Sequence, residues 1–281
     1  TGKMGKVLWG LISYNRNTDT GMWDYPIPGV GSLHWPDAEF SKNTIDWDMW
    51  IGSAPKVPLS AERYFRWRKY WDYSGGNATD LLYHRLGAMS SMLGFEFRTR
   101  VTGAGGIYVQ KDREVPDTYM TMVEYPGDYA INMISCMGNA QSVPLTVYGN
   151  WATLEILSGP ASAGDSMGDQ TRGPQQRQRP RMFAKITAER QFETAFKEAN
   201  GGKAEVIIEN EEGDGLTDNW LNCIRSRQSP LYNVLRGYQV MTAIKLGVDS
   251  YRYGKVMAFD PATRKILDTP PARKTYVPEG A

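Results

Sequence analysis

Cysteine is nearly missing from this chain: Cys136 and Cys223 are the only two, and they lie far apart. With no Cys-x-x-Cys pair and no even-spaced set, a disulfide scaffold and a cysteine-ligated zinc site are excluded, and both thiols are expected to be buried. Histidine is equally scarce, at His34 and His84, and no His-Glu-x-x-His can be drawn. No apolar run reaches the roughly eighteen residues that a membrane span needs, and no charged-then-apolar signal segment opens the chain. Neither sign of charge dominates. A net charge of +1 gives no global field to draw the protein onto nucleic acid or an anionic membrane. A P-loop and a Gly-x-Ser-x-Gly elbow are absent as well. The chain opens "TGKMGKV" without an initiator methionine, as a processed or cut protein would.

What is present is apolar material, 41% of 281 residues, enough for the core of one large domain or two small ones. "GKVLWGLISYN" alternates as a strand does. An irregular stretch follows to about Asp72, held by Trp23, Trp35, Trp47, Trp50, Trp67 and Trp71. So long a non-periodic segment with this aromatic content argues for function over disorder.

From Asn77 to Leu93 apolar residues recur at three- and four-residue steps, which predicts a helix with one buried face. The period then drops to two. "TYMTMVEY" and "YAINMISCM" around "PGD", and "LTVY" and "ATLEIL" around "GNW", predict two antiparallel hairpins. Residues 158–181, rich in Gly, Pro, Gln and Arg, read as an exposed excursion. "ITAERQFETAFKEA" reads as a helix, "KAEVIIE" as a strand, "DNWLNCIRSR" and "GYQVMTAIKLGVDSYRYG" as helices, and the remainder as a loose tail. Strands in a run followed by helices in a run indicate α+β: an open, predominantly antiparallel sheet with helices packed on one face. The expected layout is a single domain over 1–281. Its sheet core spans about 1–157 and 203–210, and its C-terminal helices and tail about 216–281.

"GAGGIYV" at Gly103–Val109 would need glycine in place of Tyr108 and a following helix to be a dinucleotide fingerprint, so it reads as a bulge or turn entering a strand that contains Tyr108. Arg172, Arg177, Arg179 and Arg181 lack interleaved aromatics and read as a solvated loop, not a nucleic-acid surface. "SGGNATDLLYH" is more informative. Asn77 suits an N-cap and Asp80 a capping-box return. Asp80 and His84, four apart, share a helix face, where a carboxylate beside an imidazole prepares a general acid or base.

Ser74, Gly75, Gly76, Asp80 and His84 resemble the Gly-Gly-Gly-x-x-x-Asp-x-x-x-His signature in the C-terminal domain of the Gfo/Idh/MocA oxidoreductases, with only the first glycine replaced. "IDWDMWIGSAP", "ERYFRWRKYWDYSGG", "GAGGIYVQKDREVPDT", "NWLNCIRSR" and "SYRYGKVMAFDPATRKI" are similar to the bacterial branch of that family and spread the resemblance over nearly the whole chain. Family members often carry an acid three residues after the histidine, where this chain has Gly87.

The resemblance implies a second domain that works with an N-terminal Rossmann domain, which binds NAD or NADP and supplies a Glu-Lys-Pro lysine. This chain begins where the second domain begins, so no cofactor-binding residue is expected within it and hydride transfer is not expected from it alone. By the same resemblance His84 would be the general base for a sugar or cyclitol hydroxyl, and Asp80 would orient it or bind a neighbouring hydroxyl. Tyr14, Asn15, Arg16, Arg66, Arg68, Trp71 and Asn77 are the candidate substrate contacts, Trp71 reading more as packing than as contact. The open sheet would serve homo-oligomerisation. A stand-alone sugar-binding or assembly module, and a glycosidase that uses bound NAD transiently, are the alternatives. Family members occur both exported and in the cytoplasm, so no compartment follows.

Overall fold

The computed structural model describes residues 3–25, 27, 45–158, 182–209 and 215–272. The residues His34 and Trp35, and the arginines at 172, 177, 179 and 181, lie outside them. Among the described residues ten strands form one open, mostly antiparallel sheet, in the order Lys265–Leu267, Met257–Asp260, Arg100–Gly106, Thr118–Tyr125, Tyr129–Cys136, Val7–Ser13, Leu145–Gly149, Ala152–Ser158, Met182–Ala188 and Glu205–Glu209. Together with six helices among the described residues, this is the α+β architecture expected from the sequence. The chain falls into two compact units: Thr1–Ile12, Gly127–Asn132 and Val143–Gly237; and Ser13–Pro126, Met133–Ser142 and Tyr238–Ala281.

The first unit holds most of β1 (Val7–Ser13), with β5 (Leu145–Gly149), β6 (Ala152–Ser158), β7 (Met182–Ala188) and β8 (Glu205–Glu209). Register places Leu154 opposite Ile186 and Ile186 opposite Val206, so alternate apolar side chains share one face. Phe196 of α4 (Glu193–Ala199) packs into a small core with Ala152 and Ile186 on that face. The sequence places a helix across "ITAERQFETAFKEA"; instead Ile186, Thr187 and Ala188 end β7, Arg190–Phe192 make one 3-10 turn, and only the last seven residues are α-helical. Pairing to β6 along the whole of β7 decides the matter, since ladder hydrogen bonds outweigh weak local helix preference. Helix α5 (Leu216–Ser226) has no buried residue.

The second unit carries β2 (Arg100–Gly106), β3 (Thr118–Tyr125), β9 (Met257–Asp260) and β10 (Lys265–Leu267), with α1 (Trp47–Ile51), α2 (Ala61–Phe65), α3 (Tyr83–Leu93) and most of α6 (Val234–Tyr253). The "loose tail" therefore contains a hairpin, β9–β10, and β9 extends the sheet beside β2. Tyr108 lies past the end of β2 and is exposed, not within a strand. Val101, Tyr119 and Val123 of the sheet, Leu82, Leu86 and Met89 of the motif helix, and Ala243 and Ile244 of α6 are all almost completely buried. Both cysteines are free and half-buried, not the fully buried thiols expected.

The irregular stretch is held by rings, as its composition predicts. Trp50 stacks on Trp47 at 4.8 Å and meets Tyr73 edge-on at 4.8 Å. The same stretch contains Lys69, a fully buried lysine whose ammonium pairs with Asp24 and Asp112 and lies 3.6 Å from Glu62. A buried cation is tolerated only when paired in this way. Its carbonyl accepts from Glu114 and Val115 at 2.9 and 3.3 Å, which ties the segment before the glycines to the loop that precedes β3.

Candidate functional site

The motif helix starts differently from its expected form. Gly76 takes φ +66°, a left-handed conformation that favours glycine, and a Cβ there would meet Val115 at 2.8 Å. Asn77 does not cap. Its backbone is already helical, and its fully buried side chain donates to the carbonyls of Asp117 and Ser135 at 3.3 and 3.1 Å. The hydroxyls of Ser74 and Thr79 accept from the backbone N–H groups of Gly76 and Gly75 just ahead of the helix, whose start has no side-chain cap of the kind the sequence assigned to Asn77 and Asp80. Residues Ala78–Leu82 then form a π-helical turn before α3 begins, a widening often found at functional sites.

That wide turn carries Asp80, whose Oδ1 accepts from Arg68 Nε at 3.0 Å. The Asp80 carboxylate is thus paired with Arg68 and makes no hydrogen bond to His84. Arg68 is itself held over the Trp67 ring at 4.3 Å. One turn on, His84 is exposed, its ring 6.3 Å from that of Tyr14 and 5.8 Å from that of Tyr83. Two hydrogen bonds explain the placement of Tyr14. Ser135 accepts from Asn77 through its carbonyl and donates its hydroxyl to the Tyr14 carbonyl at 2.9 Å, so the helix start, β4 (Tyr129–Cys136) and the end of β1 are laced together.

Two of the proposed contacts gather beside His84. Arg16 donates to the Tyr14 hydroxyl at 2.8 Å, which groups Tyr14, Arg16 and His84. Asn15 is occupied with backbone, donating to Gln141 and accepting from Cys136. Arg66 stands apart, donating to the Tyr25 carbonyl and Glu62 with Asp24 at 3.4 Å. Asp117 beneath the helix is an ionised pin. Burial pushes its carboxyl up, but N–H groups from Gln110, Val109 and Tyr108 and the Thr118 hydroxyl outweigh that and hold it below its usual range.

Beside Asp80 opens a cavity of about 380 Å³. Trp67, Trp71 and Tyr73 wall one side, Ser74, Gly75 and Thr79 the motif side, and Lys245, Val248, Asp249 and Arg252 of α6 the third. Trp71, read from sequence mainly as packing, is half-buried and lines it. The α6 residues were not singled out from sequence. Their signal is nonetheless readable: 245, 248, 249 and 252 stand at i, i+3, i+4 and i+7, one stripe of a helix, and three of the four are charged.

Among the described residues no group of three or more His, Cys, Asp or Glu could hold a metal ion, and no helix is long and apolar enough to cross a membrane. Residues Gly103–Gly106 lie in β2 with no helix after them, so they do not fit a dinucleotide phosphate.

Residues 51–259 match the model of the oxidoreductase family C-terminal alpha/beta domain, the Gfo/Idh/MocA C-terminal domain. The chain belongs to that family. Solved structures similar to it include an aldose-aldose oxidoreductase from Caulobacter crescentus complexed with glycerol, with 14% identity, TM-score 0.53, and coverage of 92% of this chain and 57% of that one. A provisionally assigned NADPH-dependent oxidoreductase from Desulfitobacterium hafniense has 11% identity, TM-score 0.55, and coverage of 91% and 57%. An NAD-binding protein from Listeria innocua has 11% identity, TM-score 0.50, and coverage of 91% and 56%. At such identities these likenesses concern the fold, and this Gfo/Idh/MocA domain spans under three fifths of each structure's length. Among curated proteins, none matches the chain in sequence.

Proposed function

We propose that this Gfo/Idh/MocA domain is the substrate side of an NAD(P)-dependent oxidoreductase acting on a sugar or cyclitol hydroxyl. The observation that carries the reading is the motif helix itself: an accessible imidazole at His84, one turn from a carboxylate at Asp80 that borders a cavity. His84 would accept the hydroxyl proton as the carbon is oxidised. Asp80 is fixed by Arg68 through Oδ1, and Oδ2 makes no hydrogen bond among the described residues, so it is available to a substrate hydroxyl. Of the two roles open to Asp80, hydroxyl binding fits this geometry better than orienting His84.

The nicotinamide supplies the hydride acceptor when bound. Among the described residues Gly103–Gly106 do not fit its phosphates; on this reading the domain alone would bind substrate without turning it over, and a Rossmann domain would hold the nucleotide. The test is to assay the full-length protein with NAD and NADP against sugars and cyclitols, and to repeat it with His84→Asn. Turnover should fall by about 10²–10⁴-fold while substrate still binds. Unchanged turnover in the variant would remove His84 from the chemistry. Hydrolysis without net nicotinamide reduction would favour the redox-mechanism glycosidase instead.

A further inference from the structure

We infer that the cavity beside Asp80 recognises a sugar bearing a carboxylate, with Arg252 as the group that binds it; this rests on the reading of the domain as a sugar-binding one. The argument begins with charge. Four charged groups line the cavity: Asp80, Lys245, Asp249 and Arg252. Asp80 is matched by Arg68 just outside it. Lys245 is matched by Asp249 one helical turn on, and the Asp249 side chain is only 7% exposed, so its charge stays with that lysine. Arg252 is left over. Among the described residues no carboxylate lies within ion-pairing distance of it.

Its guanidinium lies 4.8 Å over the ring of Trp71. A guanidinium held over a ring keeps N–H groups that can fork a carboxylate through two parallel hydrogen bonds. Trp67 and Trp71 line the cavity with apolar surface for the body of a ligand, and Asp80 offers a hydroxyl acceptor. The volume falls within the range of small-molecule sites. One surplus cation suits a monoanion. A phosphate ester, carrying about −1.5 to −2, would leave charge unmatched.

The test is calorimetric titration of the protein with glucuronate, galacturonate and mannuronate, their neutral parent sugars, and glucose 6-phosphate. One uronate should bind about tenfold or more tightly than its neutral parent, and the advantage should shrink as salt rises. Arg252→Ala should abolish the advantage, and Arg252→Lys should restore little of it, because an ammonium lacks the planar fork. Arg252 is exposed, so neither change threatens folding. Neutral sugars binding as tightly as uronates, or an advantage that survives Arg252→Ala, would overturn the inference while sugar binding itself stands. Preference for the phosphate ester would overturn the carboxylate assignment. No binding by any of these sugars would count against the inference and the sugar-oxidoreductase reading together.

Discussion

Gly103 of β2 faces Gly247 of α6 so closely that a Cβ on Gly103 would sit 2.3 Å from the Gly247 carbonyl oxygen. The Ser250 hydroxyl, one turn further along α6, accepts from the Gly103 N–H at 2.9 Å. Gly103 of "GAGG" thus serves the seating of a helix on a sheet. Gly103→Ala should destabilise the fold by about 1–3 kcal/mol through overpacking. Gly237→Ala in the same helix, where nothing comes nearer than 4.0 Å, should be neutral or stabilising by a few tenths to about 1 kcal/mol. Urea denaturation of the two variants checks the contrast; equal effects would refute the close-packing account.

Acid should unfold the protein partly through Asp112. Burial alone pushes its carboxyl up, but Lys69 and Arg113 outweigh this and bring it to about 2, below its ordinary 3.8. A group depressed in the folded state stabilises it above the unfolded value, and that contribution is lost as pH falls from 3.8 through about 2. Denaturation midpoints measured from pH 5 down to pH 2 should drop less steeply for Asp112→Asn than for the parent. A parallel slope would mean that another carboxylate carries the acid response.

Arg68 should act as a positioning residue for Asp80. Arg68→Ala removes a half-exposed ion pair, so stability should change by no more than about 1 kcal/mol. If the proposed oxidoreductase reading holds, kcat/KM in the full-length protein should nevertheless fall by roughly 10-fold or more, with partial rescue by Arg68→Lys. A loss of activity that merely tracks a loss of stability would mark Arg68 as structural.

Asn77 should prove structural despite its place in the motif. Asn77→Ala removes two buried hydrogen bonds, to the carbonyls of Asp117 and Ser135, at a cost of about 1–3 kcal/mol, although the Asp117 carbonyl keeps the Met137 N–H at 2.8 Å. Sugar affinity measured by calorimetry should be unchanged where the variant is folded. A weakened affinity at unchanged stability would return Asn77 to the substrate.

Much of the architecture was legible because period is a local signal. The alternation in β3 and β5 and the three-four steps of α3 can be read without knowing their neighbours. β7 and β9 were not legible: their strand identity comes from long-range pairing to β6 and β2, and short apolar runs next to helix-favouring residues do not announce it. For the candidate site, Asp80 and His84 could be found by spacing. The partner of Asp80 could not, because Arg68 stands twelve residues upstream and reaches it only through the folding of the aromatic loop. Nor did spacing reveal that Asn77 faces inward, since its partners lie 40 and 58 residues away.

The π-helical turn at Ala78–Leu82 amounts to one extra residue wound into the start of a helix. Deleting a residue there to leave a regular helix would rotate everything upstream by about 100° relative to His84. The five-letter interval from Asp80 to His84 therefore underdetermines its own geometry. Two homologues with the same letters but different coiling would aim their carboxylates at different partners, and a pattern match would count them as one.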